Sequence, residues 1–491
     1  MPQNEKAKKE PAQPSEKPAY RAPEGSTKTI RWKSSPWLVT SEWITLRKRD
    51  EPAGEIFHTY YRPQKPKAGR PLTFVFNGGP GAASAYLHLG GLGPKRIVFG
   101  RDGRTAPPPT KLVDNEECWL DFTDLVFVDP IGTGFSRVLD TDSTEKDKVD
   151  PRKAVEEKEY YQLNRDLDSI GEFVERFLSK HKRWDAACYL AGESYGGFRT
   201  AKLARRLQEK HGVGLRAIFA ISPALEWSLL NRSDYDVLHT VDGFCTMALA
   251  AAHHGRSRVF DKKTPIAKMT ESIESFAARD LAQALVLGDP NIGQILARAA
   301  DFLGLEEDLV VRAGGRVPFW RFARELLKDE RKVVGFYDAA ITSIDPFPDR
   351  EMHEAPDPTL AGIEHVFASG INQHLRSTIG VDTERRYELI SMDVNRSWKR
   401  DDDAHAFDLN IGATDDLRFA MSMSPDMKVF ITHGWFDMVT PYFSSKRLIE
   451  QMKLVPAQRA KLSFRSFHGG HMFYTWDASR KAFRDWARGA Y

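Results

Sequence analysis

Short apolar runs bounded by turn residues recur along the first half of the chain, at residues 72–76, 125–128, 188–191 and 217–221. Each is strand-sized and apolar at successive positions, the pattern of a strand covered on both faces. Between them lie loops and longer stretches with apolar positions every three or four residues, as over 156–180, which is the period of a helix. Such alternation predicts a mainly parallel α/β sheet. Ahead of it, residues 28–33, 43–48 and 55–61 are rich in β-branched and aromatic side chains, which predicts a leading antiparallel hairpin or meander.

The rhythm changes after Pro223, where helical periods dominate at 267–287, 292–302, 318–327 and 360–377. Strand and helix signals return at 416–423, 428–432 and 462–467, and the chain closes on a helical stretch over 478–489. The expected organisation is a disordered tail over 1–26, a first core segment over 27–224, a mainly helical cap insertion over 225–405, and a second core segment over 406–491. A cap in that position would control access to the end of the sheet.

With 491 residues the chain exceeds what one hydrophobic core usually organises. Its 71 Lys and Arg against 68 Asp and Glu leave no field that would recruit nucleic acid. No run approaches the ~18 apolar residues of a membrane span, so no integral membrane segment is expected. The opening residues are rich in Lys, Glu, Pro and Ser and lack the apolar centre of a secretory signal. The three cysteines, Cys118, Cys188 and Cys245, have no C-x-x-C spacing and are expected to be small core residues. Together these features favour a cytoplasmic setting, with the bacterial periplasm as the alternative.

The candidate chemistry begins at residues 188–199, CYLAGESYGGFR, where Ser194 stands between Gly192 and Gly196 directly after an apolar run and before a helix-forming stretch. That is the frame of a nucleophile elbow, in which a strand turns sharply into a helix and projects the serine hydroxyl above the sheet. Taken alone, the pattern also describes a plain strand-to-helix turn. A serine nucleophile needs a base and an acid, and in sheets of this kind they follow in the order acid, then histidine. The run 428–432 leads into Asp437 and the run 462–467 leads into His471, with His433 and His468 as competitors for the base. Residues 76–83, FNGGPGAA, follow a strand with glycines that bring backbone amides close to a reacting carbonyl. The amides of Gly79 and Tyr195 are the expected oxyanion donors. Phosphate binding is the weaker reading, because no Lys-Ser/Thr pair follows the glycines.

These motifs, FNGGPGAAS at 76–84, VDPIGTGFS at 128–136, AGESYGG at 191–197, HGWFDMVTP at 433–441 and HGGHM at 468–472, resemble in this order those of the serine carboxypeptidases, and particularly bacterial members with few cysteines. The resemblance implies an α/β-hydrolase fold with a helical cap. It implies release of C-terminal residues from peptides through an acyl-enzyme on Ser194, with Asp437 and His471 completing a triad and no metal or cofactor required. It also implies that Asn77, Gly78 and Glu193 bind the terminal carboxylate of the substrate. A carboxylate facing a carboxylate repels it unless one is protonated, so an acidic pH preference is expected.

The sequence departs from the family at three places. Gly91 stands where a second glutamate usually shares a proton with the first, Val75 replaces a tryptophan, and Ala82 replaces a cysteine. Half of the acid pair is therefore missing, which keeps open an esterase, amidase or aminopeptidase acting on a small acyl substrate. A catalytically silent protein that binds peptide termini is the alternative of a different class.

Overall fold

A computed structural model describes residues 20–65, 68–100, 103–139, 158–230, 233–261, 263–288, 292–350, 357–401 and 411–491. The expected tail up to residue 19, the start of the helical stretch at 156–157 and the expected cap boundary at 405–406 lie outside the described residues.

Three strands, β1 (Ser26–Trp32), β2 (Ser35–Lys48) and β3 (Glu51–Pro63), form the leading antiparallel meander. They join a ten-stranded sheet through β5 (Asp124–Val128), which lies between β3 and β4 (Leu72–Phe76). The order continues through β7 (Cys188–Glu193), β8 (Leu215–Ile221), β9 (Lys428–Gly434) and β10 (Leu462–Phe467), while the short β6 (Arg137–Val138) pairs with β3. From β5 to β10 every neighbouring pair is parallel. Strands β4 and β5 are buried at every position, as their unbroken apolar runs require. One core covers each face. Phe74, Val126, Leu190 and Ile218 pack on one side against the helix α1 (Leu163–Lys180), and Val75, Phe127, Ala191 and Phe219 pack on the other.

Between β8 and β9 the described residues are mostly helical, but they do not form one unit. The helix α2 (Val237–His253), together with the helical run over 266–287 and the helix Ile292–Leu303, builds a core of its own around Phe244, Phe276 and Phe302. That core reaches Phe436 and Tyr442 beside β9. By contrast Ile363, Phe367, Ile371 and Leu375, on the helix Ala361–Asn372 and its π-helical continuation Gln373–Ile379, belong to the core of the sheet. The helix α2 escapes the periodicity argument because it is buried nearly all round, which erases the amphipathic stripe.

The three cysteines are buried and unpaired. Among the described residues no helix is long and apolar enough to cross a membrane.

Candidate active site

Strand β7 ends at Glu193, and the helix α3 (Tyr195–His211) starts one residue after Ser194. Ser194 itself has φ 61° and ψ −122°, a backbone state costing about 1–3 kcal/mol for a residue with a Cβ. The neighbours hold it there. Its amide donates to Ile221 O at 2.9 Å, and its carbonyl accepts from Gly197 and Phe198 of α3. The flanking glycines are sterically required: a Cβ on Gly192 would lie 2.0 Å from Gly196 O, and one on Gly196 would lie 2.7 Å from Asn77 O.

The ends of β8, β9 and β10 converge on this turn. Asp437, fully buried, accepts from the amides of Val439 (2.9 Å) and Thr440 (3.0 Å) on Oδ1, and from His471 Nδ1 (2.7 Å) and Thr440 Oγ1 (2.7 Å) on Oδ2. This leaves Nε2 as the ring nitrogen of His471 that Asp437 does not engage. His471 is tied to the nucleophile turn through Ser222, whose Oγ donates to the His471 carbonyl at 2.8 Å and which directly follows Ile221. Ser194 Oγ has no hydrogen-bond partner among the described residues. Burial would depress the His471 pKa, but the charge and hydrogen bond of Asp437, with the Glu193 charge, prevail and raise it.

The two competing histidines separate by geometry. His433 is buried with both nitrogens engaged, Nδ1 with Thr440 O at 3.1 Å and Nε2 with Ser445 Oγ at 2.8 Å. His468 is exposed, its ring edge-on to Trp476.

The glycine loop after β4 lies directly over the nucleophile turn. A Cβ on Gly78 would fall 2.6 Å from Tyr195 N and 2.8 Å from Ser194 Cβ, so only glycine permits the approach. Gly79 has φ 100°, a state open to glycine. The Tyr195 amide heads α3, where the first N–H groups have no partner within the helix. Asn77 is fixed by its Oδ1, which accepts from Leu87 N at 2.9 Å. Asp129 holds the far end of the loop by accepting from Ser84 N at 2.9 Å.

Glu193 is 4% exposed, and its Oε2 accepts from the Tyr474 hydroxyl. Burial drives its pKa up to about 7 and Asp437 adds to the rise, against the His471 charge and the hydrogen bonds of Tyr474 and Asn77. Tyr474 is marked by no motif in the sequence, because it is defined by its partner across the fold, whereas Thr440 lies within the motif at 433–441 without being singled out there. Beside His471 the Tyr337 ring stands edge-on at 5.2 Å and borders a cavity of about 550 Å³ that also meets Met472.

Among the described residues one grouping has metal-ligand character: Glu42, His58 and His181, with ligand atoms within 4.8 Å of one another. Lys180 Nζ already lies 2.9 Å from the same carboxylate. Burial would push the Glu42 carboxyl up, yet His181, His58 and Lys180 bring it down to about 2.

Residues 40–219 match the sequence profile of the serine carboxypeptidase family. Over this span the chain is similar to the serine carboxypeptidases. The pheromone-processing carboxypeptidase kex1 of Aspergillus niger is 33% identical over 162 residues, covering 32% of this chain and 22% of that protein. Serine carboxypeptidase-like 40 of Arabidopsis thaliana is 30% identical over 203 residues, covering 41% of this chain and 36% of that protein. The chain thus matches well under half the length of these relatives. The fold likeness extends further: the crystal structure of a prohormone-processing carboxypeptidase from Saccharomyces cerevisiae superposes with a TM-score of 0.51 over 92% of this chain and 91% of that one, at 15% identity.

Proposed function

We propose that the protein is a serine carboxypeptidase-like hydrolase that releases C-terminal residues from peptides. The observation carrying this reading is Glu193, a buried carboxyl held near pH 7 and joined by one peptide bond to the candidate nucleophile. A carboxyl still protonated near neutrality can meet a substrate carboxylate without repulsion. Asn77 and Gly78 would complete that contact.

In this reading Ser194 Oγ attacks the scissile carbonyl carbon while its proton passes to His471 Nε2, and Asp437 stabilises the imidazolium through Nδ1–H. The oxygen charge that develops is met by the amides of Gly79 and Tyr195. Collapse breaks the C–N bond, and His471 returns the proton to the departing amine. Water then attacks the acyl-enzyme by the same route and restores Ser194.

The test compares a blocked dipeptide bearing a free C-terminal carboxylate with the same dipeptide amidated, across pH 4–9, with Ser194→Ala as control. Cleavage of the free acid is expected to fall as pH rises through about 7, because Glu193 then ionises. The amide should keep its rate there. Both substrates should lose rate as pH falls through the raised pKa of His471, below which the base is protonated. Equal or better amide cleavage at every pH would instead favour an esterase or amidase, the reading that Gly91 supports. Asp437→Asn is expected to lower kcat by about 10⁴-fold, since the imidazole loses the acceptor that fixes its tautomer. Unchanged kcat in folded Asp437→Asn would remove Asp437 from the mechanism.

A further inference from the structure

We propose that Tyr474 stands in for the missing second acid, acting as the positioning residue that sets the proton on Glu193. The inference rests on the carboxylate-binding role given to Glu193 above and deepens it. Two observations meet here. Gly91 has no side chain at the position where the resemblance implies a second acid, and the Tyr474 ring packs against it. A Cβ on Gly91 would lie 3.2 Å from Tyr474 Cδ2, and one on Gly90 would lie 2.7 Å from Cε2. A glutamate at 91 and a tyrosine at 474 therefore compete for one space, and this chain has the tyrosine.

The substitution changes the chemistry. Two carboxyls facing each other share one proton, since both cannot ionise at close range. A buried phenol beside an acid keeps its own proton throughout the working range, and burial with the Glu193 charge holds the Tyr474 hydroxyl well above its ordinary pKa. Tyr474 therefore donates to Glu193 Oε2 in either state of the acid. The groups facing Glu193 are His471 and Asp437 from the ends of β10 and β9, Asn77 from the glycine loop, Tyr474, and the more distant phenols Tyr86 and Tyr337. Tyr474 is the tyrosine among them that hydrogen-bonds the acid, and that bond favours the ionised form.

Tyr474→Phe keeps the ring on Gly90 and Gly91 and removes the donor. The expected result is a rise of about one pH unit in the Glu193 titration midpoint, the loss of one hydrogen bond to a charged acceptor. The midpoint is read directly, without activity, from the infrared carbonyl band of the protonated carboxyl, assigned by its disappearance in Glu193→Gln. An unmoved midpoint overturns the inference. A moved midpoint supports it, and the dipeptide pair then separates the two claims. If the fall in free-acid cleavage moves up with it, both stand. If the midpoint moves while the free acid is never preferred, Tyr474 still sets the proton on Glu193 and the carboxypeptidase reading fails.

Discussion

Replacing Ser194 with alanine is expected to lower kcat for peptide hydrolysis by about 10⁶-fold, and His471→Ala to do nearly the same. The double variant should be scarcely worse than either, because the two side chains act in one proton transfer and lose their value together. Fluorophosphonate should label the parent chain at Ser194 and leave Ser194→Ala unlabelled. The geometry supports a large effect: Ser194 sits in a strained turn between a buried acid and a helix start, and Asp437 offers every lone pair it uses to a donor already in place. A residual rate close to that of the parent chain would put the nucleophile elsewhere. An unlabelled parent chain would favour a protein that binds peptide termini without cleaving them.

The second large effect is on stability. Arg199→Met is expected to destabilise the protein by about 3–5 kcal/mol, because it strips the partner from a buried carboxylate. Arg199 is 1% exposed and grips Asp166 with two bonds, Nε to Oδ2 at 2.9 Å and Nη2 to Oδ1 at 3.0 Å. Asp166 in turn accepts from the Tyr195 hydroxyl at 2.9 Å, and Arg199 Nη1 donates to Asn77 O at 3.3 Å. One buried ion pair thus fastens the start of α3 and the glycine loop to α1, so kcat/KM should fall alongside stability. Urea unfolding of the variant measures the first effect. Adding Asp166→Leu should recover much of the loss, since no charge is then left unpaired. A single variant within about 1 kcal/mol of the parent would show that water or a neighbour satisfies Asp166.

The parallel strands were legible because each is a short apolar run between turn residues, and a strand covered on both faces needs that composition whatever its neighbours are. The elbow was legible in part for a similar reason, since Gly192 is demanded by Gly196 O four residues away, whereas Gly196 is demanded by Asn77 O from across the fold. Elements whose environment is set from afar fared differently. The helix α2 carries no stripe because it is enclosed by other helices, and one part of the expected cap, the helix Ala361–Asn372, packs into the core of the sheet.

The sequence by itself determined the order of the strands along the chain, the glycines that let a serine and an amide loop approach each other, and the candidates for acid and base. Periodicity acts over a few residues, so it is written locally, and the glycines are visible as residues although the atoms that require Gly78 and Gly196 lie across the fold. The tertiary structure alone decided that Arg199 and Asp166 lock the site to α1 and that Tyr474 reaches Glu193 from 281 residues away. Those partnerships depend on strand order and on how closely two backbones pack, and neither leaves a mark near the residues it joins.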